Sequence, residues 1–206
     1  ASQLQLFADR TDNGILITDA RRRIEWVNEG FIRITGFSLA EARGRTPDAL
    51  LYGPETNPGS LAFIDQRLRA GEGGRAEVLR YAKSGRKIWM AVEIQPIFDD
   101  DGRLVNYLAV QTDVTERKRA ERRMEAQYAV MRILGTCSRL EEAVPHLMAA
   151  IGETLDFDLA EFWSWDHQTE SLRLVDRPWT SPRVGAAWAA ETGAATPPSL
   201  LAEIAQ

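Results

Sequence analysis

A charged stretch between residues 113 and 134 constrains the architecture of this chain more than any other feature. Within it, five positions recur at intervals of four and three residues, which places them on one seam of a helix. These positions are Ala120, Met124, Gln127, Met131 and Leu134. A lone helix would leave the seam in water, so we predict a parallel homodimer through this helix, with the polar Gln127 fixing the register. The pattern also fits an amphipathic helix packed on its own domain, since a coiled coil usually needs about three to four heptads.

The composition is that of a soluble globular protein, with 44% hydrophobic and 27% charged residues. No apolar run approaches the roughly 20 residues that span a bilayer, and no secretory signal is present, so we expect a cytoplasmic protein without a membrane segment. The net charge of -5 argues against nucleic-acid binding. A single cysteine, Cys137, excludes an internal disulfide, and with only His146 and His167 besides it no zinc-type ligand cluster is expected.

The first half of the chain begins with strand and helix signals in close succession. Two strand-like runs, 14–20 and 23–28, are separated by the polar Arg21 and Arg22 and predict a tight hairpin. Ser38 followed by Glu41 has the pattern of a capping box, which predicts a helix start. Pro58 stands where the first turn of a longer helix tolerates it.

Three strands are predicted next, at 75–83, 86–98 and 103–114, and residues 4–10 form an expected leading helix. This order predicts an α+β fold with a five-stranded antiparallel sheet and helices on one face. The strand at 86–98 alternates, with Ile88, Met90, Val92 and Ile94 expected to face the helices. The other face would carry an apolar strip made of Trp89, Leu108 and Val110. Such a strip needs a cover, which the leading helix or a second subunit would supply.

Several segments of this half resemble the PAS domain family. They are NGILITDARRRIEWVNEGFIRITGFSLAEARGRTP, GPET, KSGRKIW and VQTDVTERK, in the order in which the family has them. The resemblance covers residues 13–118 and implies the PAS fold. It also implies a signal junction, at which polar contacts of Asp113 and Thr115 join the last strand to an output helix. An ordinary helix cap fits these two residues as well.

The second half predicts a smaller α/β segment. Ser138 with Glu141 predicts the start of another helix, and two strands are expected around a polar turn at 167–170. A short helix is expected at 199–205. The order of packing helix, aromatic-rich strand, turn and strand resembles the beginning of a GAF domain. The ligand-binding portion of that family would lie mostly beyond residue 206, so we expect the chain to be a fragment of a longer protein.

More narrowly, GPET, SGRKIW and Gln111 resemble the blue-light-sensing LOV branch of the PAS family, in which a cysteine bonds to a flavin. Pro47 stands where the resemblance places that cysteine, which excludes covalent flavin photochemistry. Arg80 and Met90 stand where the branch has the asparagines that hydrogen-bond the flavin. Non-covalent flavin binding remains an alternative.

Haem is the other cofactor that the resemblance brings into question. PAS domains that bind haem usually ligate the iron through a histidine on the long helix or its neighbouring loop, and residues 57–74 contain none. Met90 could ligate iron, but an inward methionine in a strand is more often a core filler. The sequence therefore disfavours binding of both flavin and haem, and it does not identify the ligand.

The resemblance places a ligand pocket between the sheet and the helices. Its expected lining is Arg80, Met90, Val92, Tyr107 and Gln111. An inward Arg80 would need a partner, because an unpaired buried guanidinium is costly, and an anionic ligand is one possible partner. In the other interpretation, Arg80 extends to solvent and the interior is simply packed.

These observations predict four segments: an N-terminal cap at 1–12, a PAS sensor domain at 13–115, a coiled-coil linker helix at 116–137 and a partial GAF-like domain at 138–206. No catalytic constellation is found, so this chain is not expected to be an enzyme. The predicted function is a sensory and dimerisation module that passes a ligand or redox signal through the linker to a downstream effector in the same polypeptide. The parent would be a histidine kinase or a diguanylate cyclase. The alternatives are a flavin-binding, LOV-like sensor and a ligand-free protein-interaction scaffold.

Overall fold

The computed structural model describes Ala8 and residues 10–192. The chain forms two units, one ending at Lys118 and the other beginning at Arg119. Of the expected leading helix at 4–10, only Ala8 and Arg10 are described, and the helix expected at 199–205 lies outside the described residues.

The first unit is built on a five-stranded sheet. The strands are β1 (Gly14–Asp19), β2 (Ile24–Val27), β3 (Gly74–Tyr81), β4 (Lys87–Phe98) and β5 (Leu104–Asp113). Their order is β2-β1-β5-β4-β3, and every pairing is antiparallel. The predicted five-stranded antiparallel sheet is therefore confirmed.

Four short helices connect β2 to β3: α1 (Glu29–Thr35), α2 (Leu39–Ala42), α3 (Pro47–Leu51) and α4 (Pro58–Arg69). Their ends follow from local chemistry. Ser38 and Glu41 form the predicted capping box at the start of α2, and Pro58 is the first residue of α4. Gly36 ends α1 with a φ of 77°, a left-handed conformation that glycine adopts at little cost.

These helices pack on one face of the sheet. Phe31 and Leu51 join Leu16 and Ala109 in one core cluster, while Ile64 and Leu68 of α4 join Val78 and Tyr107 in a second. The alternation predicted for β4 is confirmed, because Ile88, Met90 and Val92 are fully buried. On the other face, Trp89, Leu108 and Val110 are only half-buried.

The second unit contains most of a 22-residue helix, α5 (Thr115–Thr136), which begins in the first unit. It continues with α6 (Leu140–Leu155), β6 (Leu159–Ala160), β7 (Trp163–Asp166), β8 (Ser171–Leu174), β9 (Trp179–Thr180) and α7 (Pro182–Thr192). The expected strand pair around the polar turn is present as the β7–β8 hairpin.

One expectation for this unit was wrong, and one helix was not predicted. The N-cap of α6 is Arg139, which makes no side-chain capping bond. Ser138 therefore lies one residue outside the helix start, and the capping box predicted with Glu141 does not form. Helix α7 was not predicted. Pro178 precedes it and Pro182 is its first residue, and prolines so close together were interpreted as part of a loop.

Candidate functional site

A small cavity lies between the sheet and helices α3 and α4. The space open to the centre of a water-sized sphere is about 30 Å³. Most of its wall is apolar, and the polar side chains that reach it come from several elements. The lining residues that carry the chemistry are Arg22, Asp48, Tyr52, Asp65, Arg80 and Gln111. A cavity of this size holds about two or three water molecules.

Arg80 projects from β3 into this cavity and is only 2% exposed. The interpretation in which Arg80 extends to solvent is therefore wrong, since its position on β3 faces the helices together with the buried Val78. Its Nε and Nη1 atoms have no hydrogen-bond partner among the described residues. The guanidinium carbon lies 6.0 Å from the centre of the Tyr52 ring. Burial lowers the pKa of Arg80, and the attraction of Tyr52 and Asp48 does not compensate for it.

Gln111 supplies a second unsatisfied polar group. It lies on β5 opposite Val92 of β4 and is 1% exposed. In the described part of the chain, its Oε1 atom has no hydrogen-bond partner. Buried polar atoms without a partner are rare in folded proteins and call for a water molecule or a ligand.

A charged cluster stands beside the cavity. Arg22 reaches from the β1–β2 turn and pairs with Asp48 of α3, with 2.5 Å between Nη2 and Oδ2, and with Asp65 of α4. Burial acts to lower the pKa of Arg22, but the charges of Asp48 and Asp65 outweigh it and raise that pKa. The cluster therefore ties a turn of the sheet to two helices at the cavity wall.

Sequence reasoning missed this cluster. Arg22 was interpreted only as a turn residue, and Asp48 and Asp65 lie 26 and 43 residues away from it along the chain. One signal was available. Asp65 lies at the edge of the apolar face that Ile64 and Leu68 define, and a carboxylate beside such a face often has a partner.

The remaining predicted pocket residues separate into two groups. Val92 and Tyr107 line the same cavity as Arg80 and Gln111. Met90 is fully buried but lies outside that lining, in a core cluster with Ala82, Ile88 and Val92. The hydrogen bonds of β4 place Met90 opposite Val78, near the end of the sheet where β5 leads into α5.

Polar contacts are concentrated where β5 meets α5. The Asp113 carboxylate accepts a hydrogen bond from the backbone N–H of Thr115 at 2.9 Å. The Thr115 hydroxyl accepts one from the backbone N–H of Trp89 at 3.0 Å, and the Val114 N–H donates to the Trp89 carbonyl at 2.8 Å. Strand β4 therefore holds the first turn of α5.

The first turns of α5 are also tied to β3. Lys118 pairs with Glu77 at 2.7 Å, and Arg117 pairs with the same carboxylate. The hydrogen bond from Lys118, followed by that from Arg117, lowers the pKa of Glu77. Lys118 also lies 5.6 Å above the Trp89 ring. All three contacts tie the first turn of α5 to the sheet.

The five predicted seam positions of α5 are all exposed: Ala120, Met124, Gln127, Met131 and Leu134. Met124 is 55% exposed and Met131 is 69% exposed. The opposite side of the helix carries the buried Ala126 and the half-buried Ile133. Helix α5 thus has a second apolar face that the described residues do not cover.

Comparison with known proteins identifies the fold and its relatives. The profile of the PAS domain family matches residues 12–116, just over half of the chain. The chain belongs to the PAS domain family. One relative is a blue-light-activated histidine kinase of Rhizobium johnstonii, which is 32% identical over 55% of this chain and 33% of its own length. Another is the oxygen sensor protein DosP of Escherichia coli, which is 30% identical over 56% of this chain and 14% of its own length.

Some matches extend beyond the PAS domain. The bacterioopsin transcriptional activator of Halobacterium salinarum is 28% identical over 87% of this chain and 25% of its own length. Among solved structures, an RNA-binding light-oxygen-voltage receptor is 25% identical over 55% of this chain and 33% of that chain, with a TM-score of 0.52. The chain spans a third or less of the length of these relatives. In the described residues, no helix is long and apolar enough to cross a membrane.

The residues around the cavity do not fit the flavin of a photoactive LOV domain. Pro47 lines the cavity, and the only cysteine of the chain, Cys137, lies in the second unit. Ligand clefts usually enclose about 300–1,000 Å³, far more than this cavity offers. Haem does not fit either, since the cavity lining includes neither histidine nor cysteine. Among the described residues, no group of His, Cys, Asp and Glu could hold a metal ion.

We therefore expect the purified protein to be colourless. The reason is the combination of Pro47, an inward Arg80 and a cavity too small for an aromatic ring system. A visible absorption spectrum of the native protein, together with the spectrum of the supernatant after denaturation, provides the measurement. A stoichiometric flavin spectrum or a strong haem Soret band would contradict this prediction.

Proposed function

We propose that this chain is the sensory and dimerisation module of a signal-transduction protein. In this proposal, the PAS domain receives a ligand or redox signal and passes it through α5 to a downstream effector in the same polypeptide. The observation that carries the proposal is the continuity of β5. The strand presents Gln111 to the cavity and, two residues later, reaches Asp113 and the start of α5.

The physical argument rests on the contacts at this junction. A signal reaches a distant effector only through an element with two arrangements, and small shifts in a packed sheet are amplified where a rigid element begins. The hydrogen bonds of Asp113 and Thr115 join α5 to both β4 and β5. A shift of β5 that follows from a change at Gln111 would therefore alter the rotation or register of α5. Asp113 and Thr115 form the proposed signal junction.

The second part of the proposal is a parallel homodimer through α5. The exposed seam defined by Ala120, Met124, Gln127, Met131 and Leu134 supports it, because isolated helices rarely keep a second apolar face in water. Pairing would bring the two copies of Gln127 together at a core position and fix the register. Rotation of one helix then acts directly on the effector that follows it.

The relatives support a multidomain parent. Two relatives have names that include a sensor or a histidine kinase, and each extends far beyond the matched segment. We propose a histidine kinase or a diguanylate cyclase as the parent, with segment boundaries at 1–12, 13–115, 116–137 and 138–206 and a GAF-like domain that begins in the last segment. A cytoplasmic location belongs to this proposal. The chain itself is proposed to be non-enzymatic.

A non-covalent flavin sensor is the second candidate. Relatives named as blue-light-activated histidine kinases favour it, because they are 32% and 30% identical to this chain over 116 and 145 residues. Against it stand the cavity of about 30 Å³ and the guanidinium of Arg80 inside it. A flavin would require α3 and α4 to move away from the sheet. A ligand-free scaffold, the third interpretation, leaves the unpaired atoms of Arg80 and Gln111 without a role.

Asp113→Ala tests the proposed function. We expect the PAS domain to fold with a loss of only about 1 kcal/mol, the usual cost of a lost cap. In the full-length parent, effector output should no longer depend on the stimulus. Output activity with and without the stimulus and thermal unfolding of the same preparation are the measurements.

Asp101→Ala is the matched control. Asp101 is an exposed acid in the β4–β5 turn that pairs with Arg103, as Asp113 pairs with Arg86 at 3.9 Å. It should retain full stimulus dependence. If Asp113→Ala also retains it, or loses output only because the protein unfolds, the junction is structural and the proposed route is wrong.

A further inference from the structure

The two arginines at the cavity differ in burial and in ion pairing. Arg22 pairs with two carboxylates, and its pKa is raised. Arg80 is far more buried, has two nitrogen atoms without a hydrogen-bond partner among the described residues, and has a lowered pKa. The more costly charge is therefore the one that the protein itself leaves unpaired.

The two nearby acids, Asp48 and Asp65, already pair with Arg22. Asp48 accepts from Arg22 at 2.5 Å, and Asp65 accepts from the same guanidinium. The formal charges of Arg22, Arg80, Asp48 and Asp65 sum to zero. However, the side chains of Asp48 and Asp65 are 30% and 36% exposed, so water screens them more than it screens Arg80. Inside the cavity, the positive charge of the Arg80 guanidinium therefore contributes most to the electrostatic potential.

The size of the cavity limits the ligand. Room for about two or three waters is also the space of an anion as small as acetate. The rest of the wall suits a short apolar group, since Ile64, Leu68 and Val92 line it. The amide of Gln111 offers a donor or an acceptor at the β5 side, depending on its rotation.

We propose that the cavity binds a small carboxylate of two or three carbons, whose oxygens accept hydrogen bonds from Arg80 and whose alkyl group lies on Ile64, Leu68 and Val92. This inference rests on the proposed sensory function and names its ligand class. Binding would supply the missing acceptors for Arg80. Contact of the same ligand with Gln111 would transmit the effect of ligand binding to β5.

The test compares acetate with acetamide, which has nearly the same shape but no charge. Both are titrated into the purified chain at constant ionic strength, with sodium chloride as the balancing salt. The Arg80 side-chain Nε–H resonance is followed by NMR, and calorimetry gives the affinity. We expect saturable acetate binding with a dissociation constant on the order of millimolar, a range suited to so small a ligand. Acetamide should bind about ten- to a hundredfold more weakly, because hydrogen bonds to charged groups are the stronger ones.

Arg80→Met is expected to lose acetate binding by a similar factor, whereas Arg103→Met, at an exposed turn position, should leave it unchanged. Equal binding of acetate and acetamide, or unchanged acetate binding by Arg80→Met, would overturn the inference. So would the absence of saturable binding of acetate and propionate at millimolar concentrations. The comparison of acetate with acetamide needs no variant, so it decides the question even if Arg80→Met misfolds.

Failure of the broader sensory function would look different. In that case acetate would bind and shift the Arg80 signal, yet the backbone resonances of Gln111, Asp113 and Thr115 and the output of the parent would not respond. Conversely, a parent that responds to its stimulus while the chain binds no small carboxylate would retain the sensory function and lose this ligand class.

Discussion

Replacing Met124 and Met131 together by glutamate is expected to convert the proposed dimer into a monomer. Both side chains are more than half exposed on α5, so neither substitution disturbs the interior of one protomer. In a parallel pair, both positions would be buried against the partner, and each glutamate would bring a charge into an apolar seam. Four such changes per dimer should raise the dissociation constant by roughly a thousandfold or more. Sedimentation velocity over a range of concentrations measures it.

Arg132→Glu is the matched control. It changes the net charge by the same amount as the double substitution, and Arg132 is exposed on the same helix but off the seam. The control should remain dimeric. If the seam variant also remains dimeric, the interface lies elsewhere, and the half-buried strip of Trp89, Leu108 and Val110 is the next surface to substitute.

Arg80→Met is expected to raise the stability of the PAS domain. Methionine keeps much of the length of the arginine side chain and removes a buried charge that has no hydrogen-bond partner for two of its nitrogens. Replacing buried ionic groups by apolar side chains of similar volume is often neutral or stabilising, by about 1–4 kcal/mol. Urea unfolding monitored by tryptophan fluorescence, with the midpoint and slope fitted separately, gives the free energy of unfolding.

The stabilisation should be specific to position 80. Arg103→Met removes the same charge at an exposed position and should change the free energy of unfolding by less than about 0.5 kcal/mol. A marked loss of stability in Arg80→Met would show that Tyr52 and Asp48 already compensate the buried charge, and the case for a ligand would weaken with it. A gain would mean that the natural chain keeps Arg80 at a cost, as binding sites often do.

Features that depend on neighbours in sequence were predicted well. Alternation along β4 identified which of its residues face the helices, because side chains of a strand point to opposite faces in turn. The capping box at Ser38 and the helix start at Pro58 were also predicted, since both depend on residues within one helical turn. The same reasoning failed at Ser138, where the backbone of Arg139 takes the N-cap position instead.

The candidate site shows where such reasoning ends. The sequence placed Arg80 and Gln111 on neighbouring parts of a sheet but left open whether Arg80 points inward. Its orientation follows from the register of β3 with β4, which pairs Arg80 with the fully buried Ile88. A one-residue shift in that register would have turned the guanidinium to the other face.

By itself, then, the sequence determined the local elements, the five-stranded sheet and an apolar seam on α5. Those depend on periodicity and on short-range hydrogen bonds, which a linear pattern records. Only the tertiary structure decided that Arg22, Asp48 and Asp65 meet, because they come from a turn and two helices that are brought together by packing. It also decided that Arg80 remains without an acceptor in a cavity with room for only a few waters, since both facts depend on how the helices cover the sheet.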